Sequence, residues 1–197
     1  MIAYITGQIN DLNPTSVVLE NGGIGYEVFI TLNTYTEIRG LESCRLFIYE
    51  ILREDTHVLY GFYTREERQV FTQLIGVSGV GANTARMILS SLNVEEFQIC
   101  VAGGDVQALK SVKGIGSKTA ERILVDLKDK MTKMQLGENA VLGSKAHRNE
   151  QVRNEALAAL QMLGFPTGIS QKAVTKLLSE QPDLPVEKVV KAALKML

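Results

Sequence analysis

One block of this sequence occurs twice. Leu74-Ile75-Gly76-Val77-Ser78-Gly79-Val80-Gly81-Ala82-Asn83-Thr84-Ala85 returns as Leu109-Lys110-Ser111-Val112-Lys113-Gly114-Ile115-Gly116-Ser117-Lys118-Thr119-Ala120, at an offset of 114 − 79 = 35 residues. The same offset pairs Ile88 with Ile123, Leu89 with Leu124 and Leu92 with Leu127. A fixed offset shared by apolar, glycine and Thr-Ala positions marks an internal repeat. Each copy reads as a short apolar helix, a Gly-apolar-Gly turn, and a second helix that begins at once. Glycine admits positive φ and leaves no Cβ in the way of an approaching group. The second helix presents its unpaired N–H groups at the mouth of the turn, which makes an anion site from main chain. A phosphate fits it. Lys118 and Arg122 flank the second copy and offer charge-assisted contacts.

The pattern resembles the helix-hairpin-helix motif, which grips nucleic-acid backbones without reading bases. Two copies in tandem imply a hold on two neighbouring backbone segments. A lone Gly-x-Gly between apolar runs is more often a plain tight turn, and the duplication weighs against that reading. Gly114-Ile115-Gly116-Ser117-Lys118-Thr119 also resembles a nucleotide-binding P-loop. That loop needs Gly directly before the Lys, where this chain has Ser117. It needs another Gly five residues earlier, where this chain has Val112, and a long preceding strand is missing.

The chain has 197 residues, enough for one large domain or two to three small ones, and 45% hydrophobic residues support folded cores. No apolar run is long enough to span a membrane, and the start Met1-Ile2-Ala3-Tyr4-Ile5 lacks the basic region of a signal peptide. Cys44 and Cys100 stand far apart, as buried free thiols of a reducing cytoplasm do. His57 and His147 are isolated, so neither a metal site nor a cofactor is expected. The net charge of −1 divides unevenly. Residues 1–64 carry three Lys/Arg against eight Asp/Glu, residues 65–132 nine against eight, and residues 133–197 nine against six. DNA binding must therefore rest on main-chain amides and a few placed cations, or on many copies acting together.

Residues 1–64 read as β. Short runs at Ile2–Ile9, Ser16–Glu20, Gly25–Thr31, Arg45–Arg53 and Thr56–Tyr63 are separated by turn signals such as Asn13-Pro14 and Asn21-Gly22-Gly23. Five strands in so short a span predict a small OB-type barrel. The turn Arg53-Glu54-Asp55-Thr56 places two adjacent carboxylates at a hairpin tip. Such residues are common in solvated turns. They would also repel a phosphate about 4 Å away by only ~1 kcal/mol each in bulk water, so several tips must meet to matter.

Thr64 with Glu67 predicts a capping box at the start of a helical region over 65–132 that holds both repeats. Between the repeats, Asn93 to Ala108 reads as a connecting helix pair, with Asn93 as N-cap and a break at Gly103-Gly104-Asp105. Residues 133–150 lose periodicity and read as a flexible linker. Residues 151–197 predict three helices, small enough to leave apolar surface for a partner. The Leu163-Gly164-Phe165 turn resembles that of ubiquitin-associated-type domains.

Met1-Ile2-Ala3-Tyr4-Ile5-Thr6-Gly7, Arg53-Glu54-Asp55-Thr56-His57-Val58-Leu59-Tyr60-Gly61-Phe62 and Gly114 to Arg122 together resemble the bacterial RuvA family over the whole chain. The resemblance implies an α+β, multidomain chain: barrel, tandem hairpin module, linker and three-helix domain. It implies a four-fold symmetric tetramer, single or paired as an octamer, that lays a four-way DNA junction flat. The partners implied are the RuvB ATPase hexamer, recruited by the C-terminal domain, and the RuvC resolvase in a larger complex. The chain itself would be non-catalytic. Carried over by position, the phosphate-binding turns fall on Gly79, Val80 and Gly81 and on Gly114, Ile115 and Gly116, with Ser117, Lys118 and Arg122 beside the second. Asn83 stands in the first repeat where Lys118 stands in the second, and Arg86 is the expected substitute. An acidic pin falls on Glu54 and Asp55. Leu163, Phe165 and Leu178 are the expected RuvB contacts. A helix-hairpin-helix repair enzyme and a scaffold without a DNA role are the rival functions. For the enzyme, Lys118 and Asp126 are present, but no base pocket is evident.

Overall fold

The computed structural model describes residues 1–138, 145–181 and 184–197. Two compact units are present, Met1–Gln135 and Leu136–Leu197.

The first unit opens with five strands, β1 (Tyr4–Asn13), β2 (Ser16–Asn21), β3 (Ile24–Ile30), β4 (Ser43–Leu52) and β5 (His57–Phe62). They close into a barrel in the order β1-β2-β3-β5-β4. Every pairing is antiparallel except β3 with β5. Alternate side chains fill the interior: Val17 and Leu19, Val28 and Ile30, Leu46 and Ile48 are all buried. The β2–β3 turn runs through Gly22 and Gly23 at φ 60° and 81°, the two positive angles that a tight two-residue hairpin demands.

A short helix, α1 (Leu32–Ile38), follows β3 and was not expected from the sequence. Thr31 caps it by accepting from the Thr34 N–H at 3.0 Å. Five further helices complete the unit: α2 (Arg65–Ile75), α3 (Ala82–Ser91), α4 (Val94–Gly103), α5 (Val106–Lys110) and α6 (Ser117–Glu138). Asn93 caps α4, as the sequence predicts, and Glu96 completes a capping box there; Asp105, read from the sequence as part of a break, caps α5. The capping box expected at Thr64 is only half made. Thr64 Oγ1 accepts from Glu67 N–H at 3.1 Å, but the Glu67 carboxylate turns inward instead of reaching back.

The barrel interior forms one core cluster, and a second runs from β5 into the helices across the boundary expected at 64/65. Tyr60 and Phe62 of β5 pack on Phe71 of α2, with ring centroids 5.2 and 4.8 Å away, and the same cluster runs on to Met131. In the second unit α7 (Lys145–Met162), α8 (Thr167–Glu180) and α9 (Val186–Ala193) enclose Ala156, Leu160, Val174, Leu178, Val189 and Ala193. The stretch 133–150, expected to be a linker, is helical at both ends, where α6 runs to Glu138 and α7 begins at Lys145. The remainder of that expectation, residues 139–144, lies outside the described residues.

Candidate nucleic-acid interface

The two repeats fold into the same turn. Gly79 stands at φ 91° and Gly114 at φ 92°, a region that L side chains rarely adopt. Val80 N–H donates to Val77 O at 3.0 Å, and Ile115 N–H donates to Val112 O at 3.1 Å. Ala85 N–H donates to Gly81 O at 2.9 Å, and Ala120 N–H to Gly116 O at 3.0 Å. Each bond in one turn has its partner in the other, at the 35-residue offset. The apolar residues within the turns, Val77 and Val80 in the first and Val112 and Ile115 in the second, are buried and anchor them. The glycines and Ser78, Lys113, Ser117 and Lys118 are exposed.

What the turns offer a ligand is peptide. Gly81 precedes α3 with no side-chain cap, so the first N–H groups of that helix point out of the turn unmet by any side chain. A Cβ built on Gly79, Gly81 or Gly116 meets nothing within 4 Å. The mouths of both turns are therefore open to a tetrahedral anion, and the helix dipole favours one there.

The repeats also brace each other. Arg122 Nη1 donates to Ser78 O, in the first turn, at 3.3 Å. Met87, which is 35 residues before Arg122, brings its methyl to 3.6 Å from where a Cβ on Gly114 would lie, in the second turn. The same position of each copy thus reaches the turn of the other, the reciprocal pattern of a two-fold relation. Arg122 is exposed and serves this contact besides any anion. Arg86, expected to assist the first turn, lies instead against the barrel. Its Nη1 donates to Thr15 O at 3.1 Å and its guanidinium stacks 5.2 Å from the Phe29 ring centroid. Asn83 is exposed beside the first turn, as Lys118 is beside the second. Lys113, which the sequence reading passed over, stands exposed inside the second turn. The repeat could have shown it, since its counterpart Ser78 occupies the same place in the first.

Glu54 and Asp55 form the exposed tip of the β4–β5 hairpin. Arg53 N–H donates to Thr56 O at 2.8 Å and closes the turn, while Thr56 Oγ1 donates to Asp55 Oδ1 at 2.8 Å. Three residue pairs behind the Arg53–Thr56 closure, Glu50 draws together Ile2 N–H at 3.1 Å and His57 Nε2 at 2.8 Å. The Ile2 amide first, and then His57 and the N-terminus, hold the Glu50 carboxyl below its ordinary range.

The expected partner face of the C-terminal unit changes. Leu178 of α8 belongs to the core, and Phe165, in the turn between α7 and α8, packs half-buried against it. Leu163 is exposed, beside Met162 at 90% and Ile169 at 56% exposure. Among the described residues no helix is long and apolar enough to cross a membrane, and no three His, Cys, Asp or Glu cluster as metal ligands would.

Family models match the chain in three places: the RuvA N terminal domain over residues 1–61, a SAM-like helix-hairpin-helix tandem over 71–129, and the RuvA C-terminal domain over 151–197. Full-length relatives agree. A Bacteroides fragilis protein named Holliday junction branch migration complex subunit RuvA is 51% identical, with 100% of both chains covered. Proteins of the same name from Parabacteroides distasonis and Bacteroides thetaiotaomicron are 50% and 48% identical, again over 100% of both chains. The chain belongs to the RuvA family. Its barrel, its tandem turns and its C-terminal helices fall, in that order, within the three matched stretches.

Proposed function

We propose that the chain is the DNA-binding subunit of a branch migration complex, and that it binds four-way junctions through its two twinned turns. The observation that carries this is the repeated backbone: two glycines at φ 91° and 92°, each followed within a few residues by a helix, with open space at Gly79, Gly81 and Gly116. Exposed Lys113, Lys118 and the free donors of Arg122 add charge at the second turn. Asn83 adds none at the first, so that turn relies on main chain. Each grip is weak alone. A tetramer sets eight of them on the arms, and effective concentration makes the sum tight. The junction centre would then receive four Glu54-Asp55 tips, which repel phosphates and disfavour plain duplex lying across it. Single tetramers or face-to-face pairs both satisfy this scheme.

The C-terminal unit is the RuvB-facing part in this reading, with Leu163, Met162 and Ile169 as the exposed apolar contacts. RuvB supplies ATP-driven movement, RuvC joins for resolution, and the chain itself performs no catalysis. The site of action is the cytoplasm.

A gel-shift series with a four-way junction and a duplex of equal length tests the proposal. Tighter binding to the junction is expected, with log affinity falling against log salt by roughly 0.9 for each phosphate neutralised. Equal affinity for both DNAs, or a flat salt response, overturns it. Removal of residues 151–197 should leave junction binding intact and end stimulation of RuvB.

A further inference from the structure

At the start of α1 a knot of polar groups ties barrel to hairpin module. Glu67 of α2 is 4% exposed, yet it carries a carboxylate. Thr31 Oγ1 donates to its Oε1 at 2.5 Å and Thr34 Oγ1 to its Oε2 at 2.7 Å. Thr34 Oγ1 accepts in turn from Tyr63 N–H at 3.0 Å, at the end of β5. On its other side α1 holds α3. Asn33 Nδ2 donates to Leu89 O at 2.5 Å and to Leu92 O at 3.2 Å, and Leu32 N–H donates to Ser90 Oγ at 3.1 Å. The first turn lies between α2 and α3. Both helices that frame it are thus fastened to one point of the barrel, and the barrel carries the Glu54-Asp55 tip.

The apolar core beneath cannot set this geometry by itself. The hydrophobic driving force that buries these rings is non-directional, and a core of this kind tolerates some repacking. Hydrogen bonds to a buried carboxylate have fixed lengths and angles, and leaving one partner unmet costs more than a surface bond does. Buried polar groups select one arrangement in some proteins, at a cost that apolar replacements would not carry.

We propose that Glu67, with Thr31, Thr34 and Asn33, is a positioning joint that fixes the acidic tip relative to the first phosphate-binding turn and so sets the preference for junction over duplex. The preference itself rests on the function proposed above. The joint touches no DNA. Its loss leaves each turn's own bonds in place, so duplex affinity changes little, while tip and turn fall out of register with a crossover.

The test separates geometry from binding. Spin labels are attached at Glu54→Cys and Asn83→Cys, both exposed, in full-length chain diluted with unlabelled chain. Cys44 and Cys100 are buried and remain unlabelled. Electron double resonance without DNA reads the tip-to-turn distance. Glu67→Ala should shift or broaden the distribution, and Glu67→Gln, which keeps one acceptor, should lie nearer the parent. In otherwise native chain, Glu67→Ala should lower the junction-to-duplex affinity ratio roughly tenfold, about the worth of one charge-assisted hydrogen bond. If Glu67→Ala does not fold, Asn33→Ala and Thr34→Val carry the same expectations. An unchanged distance distribution in the variants that fold overturns the joint. So does a change in which junction and duplex affinities fall equally. A parent protein with no junction preference instead overturns the proposed function and leaves the distance measurement to decide the joint.

Discussion

Two alanine substitutions two residues apart should fail for different reasons, and the difference tests whether phosphate sits at the turns. Gly79 has φ 91°, and a Cβ there meets nothing within 4 Å, so Gly79→Ala is hindered by backbone conformation alone. Holding an L residue in that region costs roughly 1–2 kcal/mol. Gly81 has φ −86°, which any residue adopts, and its Cβ also meets nothing. Gly81→Ala is therefore free of strain, and loses some unfolded-chain entropy, worth about 0.4–1 kcal/mol in its favour. At roughly 2–4 °C per kcal/mol for a chain of this size, Gly79→Ala should melt several degrees low and Gly81→Ala at or slightly above the parent. Binding should not follow stability. The Gly81 methyl group stands in the open mouth of the turn, where it blocks close approach of a phosphate. Titration of a labelled four-way junction should show both variants weakened. In free Gly79→Ala the turn relaxes away from φ 91°, and restoring it on binding costs at most the same roughly 1–2 kcal/mol, a loss of up to about five- to thirtyfold. Gly81→Ala should lose a comparable factor with its melting point intact. Parental affinity in Gly81→Ala would refute contact at that mouth, whatever the Gly79 variant does.

Other perturbations address other parts. The pair Glu54→Gln and Asp55→Asn should raise duplex affinity by at least about fivefold, one kcal/mol of relieved repulsion, in the same titration with duplex. Phe71→Ala removes a fully buried ring touching Tyr49, Tyr60 and Phe62, and should cost about 3–5 kcal/mol in denaturant unfolding. Burial, partly offset by Thr31 and Thr34, raises the Glu67 carboxyl above its ordinary value. A raised folded-state value favours the protonated form, so this group's contribution is fully present in acid and is lost as pH rises through that value. The stability of the parent relative to Glu67→Gln should decline from about pH 4 toward neutrality, and a difference independent of pH would contradict the burial argument. Burial pushes the Cys44 thiol up to about 11, so alkylation at pH 8 should be slow until the chain is unfolded.

The parts of this fold that repeat or alternate were readable in the sequence. The 35-residue echo gave both turns, since glycine at a positive angle leaves a mark that no other residue substitutes well. Short β-branched and aromatic runs between turn signals such as Asn21-Gly22-Gly23 marked the strands, and Asn93 announced its helix as a cap does. The errors have a common source. Leu32 to Ile38 is too short for a helical period, so α1 was invisible, and with it the reason for burying Glu67. Read locally, Glu67 completes a capping box; in the fold, two distant threonines compete for its carboxylate and win. Arg86 carries the same charge whether it faces DNA or the Phe29 ring, and only the tertiary fold shows which. Leu178 and Leu163 are equally apolar in sequence; helix packing buries the first and leaves the second bare.

The turns present amides, which every stretch of sugar-phosphate meets alike. An interaction built this way has almost the same depth at each nucleotide, so DNA drawn past it climbs no ladder of favoured sites. On the function proposed above, the repeated glycine bends would supply a bearing as well as a clamp. They would hold four arms firmly while offering little drag to whatever turns them.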